Sequence, residues 1–369
     1  MDVRKILSDH FCDSYNIKNG HYIIETIDAK ELIVPERIDL IAKYKYIEHR
    51  EAGYNLSYVK ELYAAHIEAF SSGKFTEPGQ EDTKNSIEKY LSAFDDLIES
   101  IATNGFDKNI SVVPVGKDNV IPNGSHRTAI AAYYDIPLPI IRFDINATPY
   151  DAKFFADRLL HTDYLDYIVT EYCKLRNNVY MAIVWPRAFT KIEASDVEKI
   201  IGELCKTVYK KEIRISFDGL IKLMIQVYHQ ERWLGTAENN FVGAESKALE
   251  CYDKNEKLIV YILESDDFSK VFELKQEIRK LTGIANSAIH TTDNAAETVY
   301  LCNTLLCGSA ARLFNPTGSS GIAQLHQKCK ISISRKFRFS LKPRAIKLLK
   351  IIRIYSLARC LYRAVKKRT

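Results

Sequence analysis

The sequence predicts a mixed protein, α+β or α/β, of two domains followed by a basic tail, and three observations lead there. Its 369 residues suffice for two separate cores, and 46% hydrophobic with 27% charged residues is the make-up of an ordinary globular chain. Short runs rich in Val, Ile and Tyr alternate with stretches of helical apolar spacing. Charge is also divided along the chain. Residues 331–369 hold thirteen Lys/Arg and no Asp/Glu, so the remainder carries 39 basic against 47 acidic groups, a net of −8 within an overall +5. An acidic body argues against nonspecific nucleic-acid binding, which needs clustered cations.

The eight cysteines are scattered with no C-x-x-C, the pattern of free thiols in a reducing cytoplasm rather than of structural zinc or a disulfide framework. Residues 1–14 are charged and lack the apolar core of a signal peptide, and no apolar run is long enough to span a bilayer.

In chain order, residues 1–34 read as a short helix and an extended run, His21–Thr26. Pro35 opens a helix over 36–51 with Arg37, Asp39, Lys43 and Tyr46, and a helix over 57–70 carries Glu61, Tyr63, His66 and Phe70. At i,i+4 spacing the charges read as solvated faces, and His66, among apolar neighbours, as a satisfied structural histidine. A turn at 75–79 containing Glu77 precedes a helix over 83–104, which Gly105 caps. A strand over 111–116, a polar turn at 117–119 and a short second strand at Val120–Ile121 follow. A helix then opens at Gly124-Ser125 and is closed by Pro137 and Pro139, ahead of a strand over 139–143. Free N–H groups and the positive end of the helix dipole make such a start an anion site. Gly124 lets a ligand approach the backbone, Ser125 can cap, and His126 and Arg127 add donors. The plain alternative is a capped helix with a surface His-Arg pair.

Composition changes after Asp144, and the boundary is placed at 146–151, giving domains 1–147 and 148–315 and a linker and tail over 316–369. The second domain begins with helices over 152–161 and 164–177 and a strand over 179–187. A helix over 196–208, a strand over 212–216, helices over 218–229 and 243–252 and a strand over 258–263 come next. It closes with a helix over 268–281, a strand over 288–290 and a helix over 295–305. Three places can carry chemistry. His290, Asp293 and Glu297 gather at a strand end and helix start; a capping box of Asn294 and Glu297 is the structural alternative. The glycine-bearing loop from Glu231 to Lys247 holds Trp233, and Trp185-Pro186-Arg187 ends a strand. In the tail, Ile351, Ile354, Tyr355, Ala358, Leu361, Tyr362 and Val365 recur at helical spacing, with Arg353, Arg359, Arg363, Lys366 and Lys367 largely on other faces. Residues 344–369 therefore read as a basic amphipathic tail suited to an anionic membrane surface, docking on the acidic body and a nucleic-acid arm being the alternatives.

The run Asn123-Gly124-Ser125-His126-Arg127-Thr128-Ala129, in its strand–turn–strand–helix–strand setting, resembles the G-x-H-R-x-x-A signature of the ParB/sulfiredoxin superfamily. The resemblance covers roughly 30–145. It implies a ParB/sulfiredoxin-like domain in which Gly124, Ser125, His126 and Arg127 hold nucleotide phosphates. It also implies ATP or another nucleoside triphosphate, with Mg²⁺, as the bound nucleotide. Glu77, ahead of the motif, would then be the general base of a kinase-type site acting on a small hydroxylated acceptor. R-x-D-L-x-A-K-x-x-Y, E-L-Y-x-x-H-I, N-x-x-G-A and I-H-x-x-D-x-x-x-E-T, as they stand from Arg37, Glu61, Asn240 and Ile289, look like two-domain proteins of bacterial surface-polysaccharide loci. That likeness adds Lys247 as a nucleotide contact and His290, Asp293 and Glu297 as catalytic candidates. The chain departs from partition proteins, which carry a helix-turn-helix unit after the motif domain and usually an arginine where His126 stands. It departs from sulfiredoxins in having Ser125 where their cysteine lies. The expected function is a cytoplasmic, membrane-peripheral, ATP-dependent phosphotransferase. Alternatives are a ParB-like DNA-associated protein and a non-catalytic nucleotide-binding scaffold.

Overall fold

A computed structural model describes residues 3–7, 9–75, 85–106 and 112–306. Among these the fold is mixed α+β, mostly helical, with two small sheets. They divide into two compact units, 3–161 and 162–306. Residues 148–161, assigned by sequence to the second domain, thus pack with the first. The Tyr150 N–H donates to Glu36 O at 2.6 Å, and the Tyr150 ring meets Phe70 edge-on.

The first unit comprises α1 (Asp9–Ser14), β1 (Glu25–Ile27), α2 (Asp39–Glu51), α3 (Ser57–Phe70), α4 (Ile87–Asn104), β2 (Val113–Val115), α5 (Ser125–Tyr134), β3 (Leu138–Arg142) and α6 (Ala152–Asp157). The sheet runs β1-β3-β2, with β1 antiparallel and β2 parallel to β3, so α5 is the crossover of a parallel pair. Of the extended run at 21–26, Glu25 and Thr26 enter the ladder with β3 and His21 forms an isolated bridge. The second strand expected at Val120–Ile121 does not form. Asp118 and Asn119 both take positive φ, and the Gly116 N–H closes the turn on Val120 O at 2.9 Å. Phe94 stacks on Tyr46 and on Tyr63, which are tilted to one another, at 5.5–5.7 Å between ring centres, and the three join α2, α3 and α4.

Arg37, just ahead of α2, and Asp39 and Lys43 within it do not lie on the solvated face expected of them. Arg37, Asp39 and Lys43 are at most 3% exposed. Asp39 accepts from Arg37 Nε at 2.8 Å and Nη2 at 2.9 Å and from Lys43 Nζ at 2.8 Å, while Arg37 Nη1 donates to Ile121 O. Lys43 Nζ also reaches His66 Nε2 at 3.0 Å, and His66 Nδ1 lies 2.7 Å from Tyr63 O. Lysine needs an acceptor and the carbonyl a donor, so His66 is neutral with its proton on Nδ1. His66 is the satisfied structural histidine expected.

The second unit comprises α7 (Thr162–Lys174), β4 (Val179–Val184), α8 (Ala194–Leu204), β5 (Lys206–Ile213), α9 (Phe217–Val227), α10 (Val242–Cys251), β6 (Leu258–Glu264), α11 (Phe268–Thr282), β7 (Ile289–Thr291) and α12 (Ala295–Leu305). Its sheet runs β5-β6-β4-β7 and is antiparallel at every pairing, which makes this unit α+β rather than α/β. Every residue of β4 and β6 is buried, because helices cover both faces. Val197, Ile201, Leu274 and Ile278 of α8 and α11 pack on one face, and Thr298 of α12 bonds Val179 O from the other. The helix expected through Val208 stops at Leu204, and Lys206 to Val208 begin β5, whose register shifts between Thr207 and Tyr209.

Glu77, the linker and the basic tail lie outside the described residues. Among those described, no helix is long and apolar enough to cross a membrane.

Candidate functional site

In the first unit the candidate site is the start of α5. Gly124 is its N-cap at φ 86°, in the left-handed region, and as a glycine it brings no side-chain cap of its own. A Cβ here would come within 2.9 Å of Val113 Cγ2 and 3.1 Å of Arg127 Nη2, so glycine is required by backbone and space alike. Ser125 is the first helical residue and does not cap, contrary to expectation. Asn123 Oδ1 instead accepts from the Gly124 N–H at 2.6 Å. The N–H groups of Ser125, His126 and Arg127 have no intrahelical acceptor at this turn. His126 Nε2 shares a 2.7 Å hydrogen bond with Tyr63 OH, and its ring stands edge-on to Phe94 at 4.6 Å. Arg127 Nη1 donates to Val112 O at 3.2 Å, and burial lowers the guanidinium pKa from its ordinary value. The two side chains are half-buried and oriented by strand and helix, so neither belongs to a loose surface pair.

In the second unit, Lys247, His290, Asp293 and Glu297 all line one cleft of about 920 Å³ between α9, α10, α11 and the β7–α12 turn. Two runs of sequence about fifty residues apart thus converge, and Trp233 joins them. His290 Nε2 lies 3.4 Å from Glu297 Oε1, in ion-pair reach but without hydrogen-bond alignment. Glu297 Oε2 accepts from the Asp293 N–H at 2.7 Å, and Asn294 Oδ1 caps α12 through the Glu297 N–H at 2.9 Å. Half of the expected capping box therefore forms, while the Glu297 carboxylate turns to Asp293 and His290. Burial pushes that carboxyl pKa up, but His290 and the Asp293 N–H outweigh it and hold it below the usual range. Lys247 Nζ is engaged by Asn286 O at 3.1 Å, Glu250 at 3.3 Å and Ser287 Oγ at 3.4 Å, so it braces the cleft wall. Arg187 lies away from the cleft lining and bonds Leu249 O and Tyr252 O, which leaves Trp185-Pro186-Arg187 as a strand end stopped by proline.

Sequence reasoning passed over Lys275 and Arg279, on the α11 side of the same cleft. Their spacing is that of any solvated helix face, and tertiary packing alone reveals them.

No cluster of three His, Cys, Asp or Glu side chains that could hold a metal is found among the described residues. The α5 start presents donors, which suit phosphate oxygens; Mg²⁺ fits there as a cation carried on phosphates. Comparison of the chain with protein-family models finds no match, and comparison with curated proteins finds none.

Proposed function

We propose that the first unit binds ATP or another nucleoside triphosphate, with Mg²⁺, at the start of α5. The chain is read as a nucleotide-dependent phosphotransferase acting on a small hydroxylated acceptor in bacterial surface-polysaccharide assembly. The observation that carries the reading is a helix start opened by a left-handed Gly124, a position that space and backbone reserve for glycine, and followed by His126 and Arg127. Such a start holds phosphate oxygens by backbone N–H groups and dipole. The triphosphate supplies the transferred phosphoryl group, and Mg²⁺ neutralises its charge. The Tyr63–His126 bond fixes the imidazole, and Arg127, held by Val112 O, sets its charge beside the same turn. Glu77 is assigned as the base that takes the acceptor's proton.

The test is calorimetric titration of each nucleoside triphosphate with Mg²⁺ into wild type, Arg127→Ala and Arg127→Lys, with circular dichroism to confirm folding. Loss of a charged contact should weaken binding about 10- to 100-fold in Arg127→Ala. No binding of any triphosphate by the wild type would reject the reading. Binding without hydrolysis or transfer, unchanged in Glu77→Gln, would favour the non-catalytic scaffold.

The tail is read as a reversible anchor at the cytoplasmic face of the membrane, on the strength of its charge and apolar spacing. Deleting residues 331–369 should release the protein from vesicles rich in anionic lipid; unchanged sedimentation would rule out the anchor.

A further inference from the structure

The cleft of the second unit holds two cations that no described residue pairs with, although carboxylates also line it. Lys275 and Arg279 stand one turn apart on α11 and both line it. Among the described residues neither side chain makes a hydrogen bond or ion pair, and Arg279 Nε is buried without an acceptor. Like charges at i,i+4 repel, and a buried donor without a partner destabilises the empty protein. Burial, and then Arg279, lower the Lys275 ammonium pKa; Asp293 and Glu297 face it and pull the other way without closing to an ion pair. The Glu297 oxygens are already turned to the Asp293 N–H and to His290.

Across the cleft the wall is aromatic. The Tyr228 ring packs on Trp233 at 5.1 Å and edge-on to His290 at 5.2 Å, and Trp233 stays 45% exposed. A volume of about 920 Å³ is near the top of the range for small-molecule sites and far exceeds the needs of a bare ion. Two adjacent cations match a dianion, whereas a carboxylate would balance one of them; a phosphate ester carries about −1.5 to −2 at neutral pH. We propose that this cleft binds a phosphate-bearing small molecule, its phosphate on Lys275 and Arg279 and its ring or polyol against Trp233 and Tyr228. The site is independent of nucleotide binding at α5.

Trp233 supplies the readout, because the chain has two tryptophans and the other, Trp185, is fully buried. The full-length protein is titrated at pH 7 with inorganic phosphate, a hexose 1-phosphate, a nucleoside 5′-monophosphate, a nucleoside diphosphate hexose and a hexuronic acid. At least one organic phosphate should bind saturably and more tightly than inorganic phosphate, and the identity of the tightest separates a sugar from a nucleotide. Arg279→Gln should weaken that binding about 10- to 100-fold, and Arg127→Ala should leave it unchanged. Without ligand, Lys275→Met should melt at or above the wild-type temperature, since it relieves the repulsion.

Absence of saturable binding by the wild type, or equal binding by Arg279→Gln, would overturn the proposal. So would preference for the hexuronic acid, loss of the signal in Arg127→Ala, or a lower melting temperature in ligand-free Lys275→Met.

Discussion

Asp39→Asn should destabilise the first unit by about 3–5 kcal/mol, the penalty for breaking a buried ion cluster from one side. Asp39 stands between Arg37 and Lys43, all three at most 3% exposed, and its neutralisation takes from both cations the carboxylate they share. Denaturant unfolding followed by circular dichroism should show an early transition for this unit, with the second unit's transition kept. A midpoint within experimental error of the wild type would contradict the assignment.

The same cluster sets the acid limit. Burial, then Lys43, hold the His66 pKa well below 6.5, so the folded chain keeps this ring neutral where the unfolded chain takes a proton. Stability therefore rises with pH between the folded pKa and about 6.5 and is lost as pH falls below that, with a slope approaching 1.4 kcal/mol per pH unit. Burial alone would raise the Asp39 pKa, but Arg37 and Lys43 reverse this and hold it far below the carboxylate range. The Asp39 contribution is intact above the ordinary carboxyl pKa of 3.8 and is lost as pH falls from there towards the folded value, so His66 fails first. Stability that is flat from pH 6.5 to 5, or unaltered in slope by His66→Gln, would refute the account.

Gly243→Ala should open the second-unit cleft. An added Cβ would stand 1.9 Å from the carbonyl oxygen of Trp233, which is backbone and cannot rotate away. Either α10 or the loop at 231–235 must shift, at a cost at or above the upper end of the 1–3 kcal/mol typical of overpacking. A changed Trp233 emission, with loss of phosphate-ester binding, is the expected result; a wild-type spectrum would exclude the clash. Gly202→Ala is the control, because nothing lies within 4 Å of that position inside α8, and it should stabilise by about 0.5–1 kcal/mol.

Local signals were readable where chemistry is local. The bounds 57–70 and 295–305 coincide with α3 and α12, the latter because Asn294 is a strong cap ahead of an apolar-spaced run. Lys206, Thr207 and Val208 continued a helical pattern and were claimed by the wrong element, since strand pairing with β6 decides them. Whether strands run parallel or antiparallel has no local signature, so the second sheet's topology was closed to sequence reasoning. Arg37, Asp39 and Lys43 have a spacing that serves equally on a wet face and in a dry core. In the candidate cleft, His290, Asp293 and Glu297 were visible as one run, but Lys275 and Arg279 acquire meaning only opposite it.

β5 forms one outer side of the second sheet, and its shifted register at Thr207 has a bearing on concentrated protein. A strand from another copy laid along it would fall out of step within a few residues. Among the described residues the sheet thus ends at four strands, and fibre growth along this border is frustrated by shape.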